Sequence, residues 1–136
     1  LIKTQTISSN TATVSFIHGT SDVVFDDTYE TYIIKLINIH GDGSGASNEG
    51  AVSINFTTDG TNFNVTKTSC SFRAQHTEGD STDLAYTAGD DFANDKSNND
   101  FTAGYCNVTA AIDGVDFKFA SGNIDSGVIK MYGISK

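Results

Sequence analysis

The stretch Val115-Asp116-Phe117-Lys118-Phe119-Ala120-Ser121-Gly122-Asn123-Ile124-Asp125-Ser126-Gly127-Val128-Ile129-Lys130-Met131-Tyr132-Gly133-Ile134 decides the fold class. Side chains along a strand point to opposite faces with a period of two. Val115, Phe117 and Phe119 therefore share a face that seeks a core, while Asp116 and Lys118 face water. Residues 121–127, rich in Gly, Ser and Asn, turn the chain. On the next strand Val128, Lys130 and Tyr132 oppose Ile129, Met131 and Gly133. The reading is two half-buried antiparallel strands joined by a turn.

Composition bounds the rest. A chain of 136 residues is one domain that buries roughly two-thirds of its unfolded surface. Nine Phe, five Tyr and many Val and Ile supply the core. The net charge of −9, with eight Lys and Arg scattered through the chain, leaves no basic stripe for counterion release, so no nucleic-acid partner is expected. No apolar run approaches the ~20 residues of a membrane span, so no membrane insertion is expected. Proline is absent, and turns fall to Gly, Asn, Asp and Ser. The chain opens on Leu1 rather than Met, which points to a processed or trimmed product and leaves export undecided.

Strand-like patterns cover 2–7, 11–17, 29–39, 51–57, 62–68 with a continuation over 69–74, 101–108, 115–120 and 127–134. The 29–39 run holds Tyr32, Ile33, Ile34, Leu36, Ile37 and Ile39 and reads as a central strand covered on both faces for part of its length. Asp59-Gly60 between 51–57 and 62–68 reads as a hairpin turn. Residues 75–100 form an acidic, loop-rich excursion. From His76 to Asp100, seven carboxylates stand against Lys96 alone, with Leu84, Ala85, Tyr86 and Phe92 as anchors around one short helical turn. About eight strands without a convincing helix predict a single all-β domain over 1–136. The expected architecture is an antiparallel two-sheet β-sandwich, jelly-roll-like, with an up-and-down barrel as the alternative.

Candidate chemistry is sparse. His18, His40 and His76 sit at or near strand ends in loops, with aspartates nearby, but no Gly-x-Ser-x-Gly elbow accompanies them. Asp26/Asp27, Glu78/Asp80 and Asp90/Asp91 supply carboxylate pairs of the kind glycosidases use, all in solvated loops, so no catalytic residue is assigned and no enzyme activity is expected. The 40–45 and 90–95 segments have oxygen-rich spacing, yet neither fits an EF-hand; no cofactor is expected, and no ligand set for structural calcium is assigned. Cys70 and Cys106 are read as two free, packed thiols, with a disulfide between them as the alternative. Asn55, Asn64 and Asn107 each begin an Asn-x-Thr sequon and are read as strand residues. Tyr29, Tyr86 and Tyr105 are candidates for stacking on a glycan or a partner, against a plain packing role.

The runs Phe101-Thr102-Ala103-Gly104-Tyr105-Cys106-Asn107-Val108-Thr109, Ala111-Ile112-Asp113, Phe117-Lys118-Phe119-Ala120-Ser121-Gly122-Asn123 and Gly127-Val128-Ile129-Lys130-Met131-Tyr132-Gly133-Ile134 resemble a group of uncharacterised tailed-phage proteins from marine and other aquatic viruses. Phe72-Arg73-Ala74-Gln75-His76-Thr77-Glu78-Gly79-Asp80, Leu84-Ala85-Tyr86, the 11–16 run and Asp27-Thr28-Tyr29-Glu30 are similar to the same group. The resemblance implies a β-sandwich virion component: a tail fibre, tail appendage or head-surface protein. Residues 95–100 cross at once a gap that such proteins fill with further strands. A homo-oligomer that contacts other virion proteins and a host-surface glycan is the expectation for that role. The rival readings are a secreted carbohydrate-binding module and a small glycan hydrolase.

Overall fold

A computed structural model of the chain describes residues 1–43, 52–77, 82–85 and 96–135, with 71–77, 82–85 and 96–100 described through their backbone. Among the described residues nine strands follow in order: β1 (Lys3–Ile7), β2 (Val14–Ile17), β3 (Thr31–Gly41), β4 (Val52–Thr57), β5 (Lys67–Thr77), β6 (Thr82–Ala85), β7 (Lys96–Cys106), β8 (Gly114–Phe119) and β9 (Ile124–Ile134). Among the described residues there is no helix. The strands form three antiparallel sheets, β1-β9-β3, β2-β8-β4 and β6-β5-β7.

The first two sheets make the sandwich. On β9 the alternation read from sequence holds: Ile129 and Met131 are fully buried, with Val128, Lys130 and Tyr132 on the opposite face. On β8, Val115 and Phe117 point into the same core, joined by Val14 and Phe16 from β2, Ile7 from β1, Ile124 and the loop residue Val23. Phe16 and Phe117 meet edge to face at 6.2 Å between ring centres. Each such side chain taken fully out of water contributes about 1.5–3 kcal/mol, so this cluster holds the two sheets together.

The structure departs from the sequence reading in four places. β8 and β9 do not form a hairpin; residues 120–123 carry the chain from one sheet to the other, where β9 pairs with β1 and β3. The connection is tied down by Asp42 N–H donating to the Asn123 carbonyl at 3.0 Å and Asn123 Nδ2 donating to Asp42 Oδ2 at 2.9 Å. Second, the apolar run over 29–39 is not central. It forms β3 at a sheet edge, and β9 takes the centre.

Third, Asp59-Gly60 does not close a hairpin. The Asp59 carboxylate gathers the N–H groups of Thr61 and Asn62 at 2.9 and 2.7 Å and the Thr57 hydroxyl at 2.8 Å. This wide turn, with Gly60 at φ +69°, sends 62–66 past β4 without strand pairing apart from Val65 N–H to the Phe56 carbonyl at 3.2 Å. Fourth, the acidic excursion contains paired backbone. β5 runs on to Thr77, β7 starts at Lys96, and Thr82–Ala85 is a strand against β5 where a helical turn was expected.

The β6-β5-β7 sheet stands apart from the sandwich core. At the end nearest the sandwich, residues 67–70 and 101–105 are all exposed, so neither face is covered there. Its root is fastened by Lys67 Nζ, which donates to the Ile54 carbonyl at 2.7 Å and Asn55 Oδ1 at 2.9 Å.

One glycine on β9 is fixed by close approach. The Tyr29 ring lies over Gly133, where a Cβ would run into it, and Tyr29 in turn meets Tyr32 edge to face at 5.9 Å. Gly133→Ala must displace that ring and is expected to cost about 1–3 kcal/mol, as overpacking does. Urea denaturation of the two proteins measures it; an unchanged midpoint would show that Tyr29 moves aside freely.

Candidate functional site

Strand order sets where the sandwich is closed and where it is open. On the β1/β2 side the chain turns back at 18–23, with Ser21 and Asp22 both at positive φ. Val23 plugs the core there, leaving only a recess of about 120 Å³. On the β3/β4 side an apolar groove of about 730 Å³ runs between the two edge strands. Tyr32, Ile34 and Leu36 of β3 form one wall, Ile54 and Phe56 of β4 the other, and Val115 and Phe117 lie at its floor. These residues recur at period two because each pairs with a core-facing residue of the neighbouring strand: Ile34 with Met131, Leu36 with Ile129, Ile54 with Phe117.

One end of the groove is built by the 18–30 loop. Tyr32 places its hydroxyl between the backbone groups of Asp26, accepting from the N–H at 3.0 Å and donating to the carbonyl at 2.9 Å. Phe25 packs on the Tyr32 ring at 5.2 Å, and its N–H donates to His18 Nδ1 at 3.0 Å. Asp26 accepts from Thr28 N–H at 2.8 Å. Hydrogen bonding from Thr28, with a smaller attraction from His18, holds the Asp26 carboxyl below its ordinary value. Asp26 and Glu30 put negative charge on this rim of an otherwise apolar groove.

Within the groove Leu36 is 37% and Ile54 44% exposed, and on the opposite face of β3 Ile33 and Ile37 are 39% and 38% exposed. Among the described residues no strand pairs with the outer side of β3, and a long apolar edge strand is a template for a further strand. The groove can take apolar side chains at alternate positions of an extended segment while the β3 edge supplies backbone hydrogen bonds.

The residues singled out from sequence are spread over the molecule. Tyr29 is half-buried under Tyr32 and Gly133, a packing role. Tyr105 is 66% exposed on β7, on the face it shares with Phe101, which is 65% exposed. Tyr86 lies outside the described residues. Cys70 and Cys106 are both free. Cys70 pairs with Ala103 and Cys106 with Lys67, so the two thiols stand on opposite faces of the sheet and the disulfide alternative is not formed.

His40 and His76 lie inside β3 and β5 rather than in loops, and His18 follows β2 directly. Asp26 and Asp27 are exposed; Glu78/Asp80, Asp90/Asp91 and the 90–95 segment fall outside the described residues. Among the described residues no three His, Cys, Asp or Glu side chains converge. Of the sequons, only Asn55 is in a strand, with its amide committed to Asp116 and Lys67. Asn64 lies in the β4–β5 connection, and Asn107 follows β7 with its side chain bonded to Thr68.

Two polar features depart from the sequence reading. Asp116, expected to face water, is instead buried on the outer face of β8, where it accepts from Asn55 Nδ2 at 2.8 Å and is linked through Asn55 to Lys67. This relay fastens the projecting sheet to β4 and β8. The other is Asp59, whose carboxyl is held well below the usual carboxylate range. The Asn62 N–H contributes most, followed by the Asn62 amide, the Thr61 N–H and the Thr57 hydroxyl. Comparison of this chain with known protein families, with curated proteins and with solved structures finds no match.

The depressed Asp59 value has a definite sign. Its stabilising effect is complete above the unfolded aspartate pKa of about 3.9 and is lost as the pH falls through the folded value. Asp59→Ala is therefore expected to lower the melting temperature at neutral pH and to reduce the loss of stability on acidification. Thermal melts of both proteins from neutral to strongly acidic pH measure this; an identical acid slope in the variant would show that the turn does not depend on the carboxylate.

Proposed function

We propose that this chain is a non-catalytic structural component of a bacteriophage virion, a tail-fibre, tail-appendage or head-surface protein that assembles through its sheet edges and contributes to host-surface attachment. The observation that carries the assembly part is the open β3/β4 side. The most continuously apolar strand of the chain lies at an edge, beside an apolar groove of about 730 Å³ with core residues at its floor. An apolar edge strand beside an open groove favours the addition of a further extended segment.

The occupant that fits is an extended segment of a neighbouring subunit, and a second copy of this chain supplies it in a homo-oligomer. Repetition of the domain on a particle then turns weak contacts with a host surface into avidity. The resemblance of the 101–109, 111–113, 117–123 and 127–134 runs to aquatic tailed-phage proteins supports the virion assignment. The projecting β6-β5-β7 sheet, with Phe101 and Tyr105 in the open, offers a second surface for other virion proteins.

Immunogold labelling of purified virus particles with antibody against the domain tests this. Label at a tail or fibre is expected for attachment, and even label over the head for a decorating role. Particles that take no label would overturn the virion reading in favour of a secreted carbohydrate-binding module.

A further inference from the structure

The outer face of the β1-β9-β3 sheet carries an electrostatic anomaly. Lys35 on β3 and Lys130 on β9 are register partners, and both point away from the core, since Ile129 and Met131 on either side of Lys130 are fully buried. Residues opposed in an antiparallel pair have Cα atoms roughly 4.5–5.5 Å apart, and like charges so placed repel. The chain holds 17 Asp and Glu against eight Lys and Arg, so a neutralising carboxylate is easily supplied. Yet among the described residues neither ammonium is ion-paired. Lys35 Nζ instead lies over the Tyr132 ring, 5.7 Å from its centre.

The surroundings define what belongs there. Thr4 of β1 is the third member of the lysine row, opposite Lys130. On one side lies the row Tyr132 and Ile33, on the other Val128 and Ile37, with Thr6 beyond. A short basic row between two apolar rows matches a ligand with one negative group and apolar C–H faces on either side. A pyranose ring bearing a carboxylate or sulfate has that form, with the anion between the two ammonium groups and the ring faces against Tyr132 and the branched side chains. A polyphosphate does not fit, because it offers no C–H faces to the apolar rows on either side.

We propose that this face binds an acidic glycan, with Lys35 and Lys130 holding its carboxylate or sulfate and the flanking Tyr132, Ile33, Val128 and Ile37 side chains meeting its C–H faces. The inference rests on the attachment reading above and gives it a ligand class and a site. That site is distinct from the β3/β4 groove, because Ile33, Lys35 and Ile37 point to the face opposite Tyr32, Ile34 and Leu36.

The test uses the full chain in biolayer interferometry against immobilised alginate (carboxylated), dextran sulfate and unmodified dextran at low salt. Binding to at least one acidic polymer and none to dextran is expected. Lys35→Gln with Lys130→Gln should weaken that binding at least tenfold, the corresponding Arg pair should retain it, and Lys118→Gln on the other sheet should leave it unchanged. The Gln pair also relieves the repulsion, so its melting temperature without ligand should rise at low salt, a gain that fades as salt is added. Equal binding by the Gln pair, an equal loss in Lys118→Gln, or no binding to either acidic polymer overturns the proposal. So does salt-sensitive self-association that the Gln pair abolishes, which would assign the row to a protein contact. Labelled particles with no glycan binding would sink this inference alone, and glycan binding with unlabelled particles would sink the virion reading alone.

Discussion

Ile129 and Met131 on the middle strand of one sheet, packed in one cluster with Phe16 and Phe117 of the other, set the terms for the rest of the molecule. Among the described residues each sheet of the sandwich has three strands, so the core is narrow and β1, β2, β3 and β4 are its edges. A core of this width cannot cover both flanks. The chain closes one flank with a loop that turns at Ser21 and Asp22 and inserts Val23. It leaves the other as a groove whose walls are strand edges and whose floor is the core itself.

That asymmetry separates the roles of the surfaces. The β1/β2 flank is closed from within the chain. The β3/β4 flank exposes apolar side chains and a strand edge, a combination that burial by a second chain stabilises. The 18–30 loop fixes one end of the groove through the Tyr32 hydroxyl and the Phe25 ring, so the opening is held in shape rather than free to collapse. The third sheet is joined to the sandwich through polar bonds at Lys67, Asn55 and Asp116, which position it without extending the core.

Sequence showed the strands whose inner faces reach the core, because burial on one side imposes the period of two seen in 115–119 and 128–132. It misplaced β3. Ile33, Ile34, Leu36, Ile37 and Ile39 make a nearly continuous apolar run, the mark of a strand covered on both faces, but sheet order leaves its outer face and outer edge open. Ile33 and Ile37 on that outer face stay exposed. Asp59-Gly60 misled for a different reason: the Asp59 carboxylate bonds four groups of its own turn, and that local network outcompetes a two-residue hairpin. β6 was invisible because strand pairing through the backbone needs no apolar alternation. The lysine row on β3 and β9 was equally hidden, since Lys35 and Lys130 lie far apart in sequence and only the register brings them together.

The measurement closest to the central claim is hydrogen–deuterium exchange across the two edges of the β1-β9-β3 sheet, from dilute to concentrated protein, with sedimentation run in parallel. If the open flank is an assembly surface for a second copy, Thr31–Gly41 gains protection as larger species form, while Lys3–Ile7 at the opposite edge does not. Exchange in β3 that is independent of concentration while the protein sediments as a monomer, or equal gains at both edges, would contradict the account.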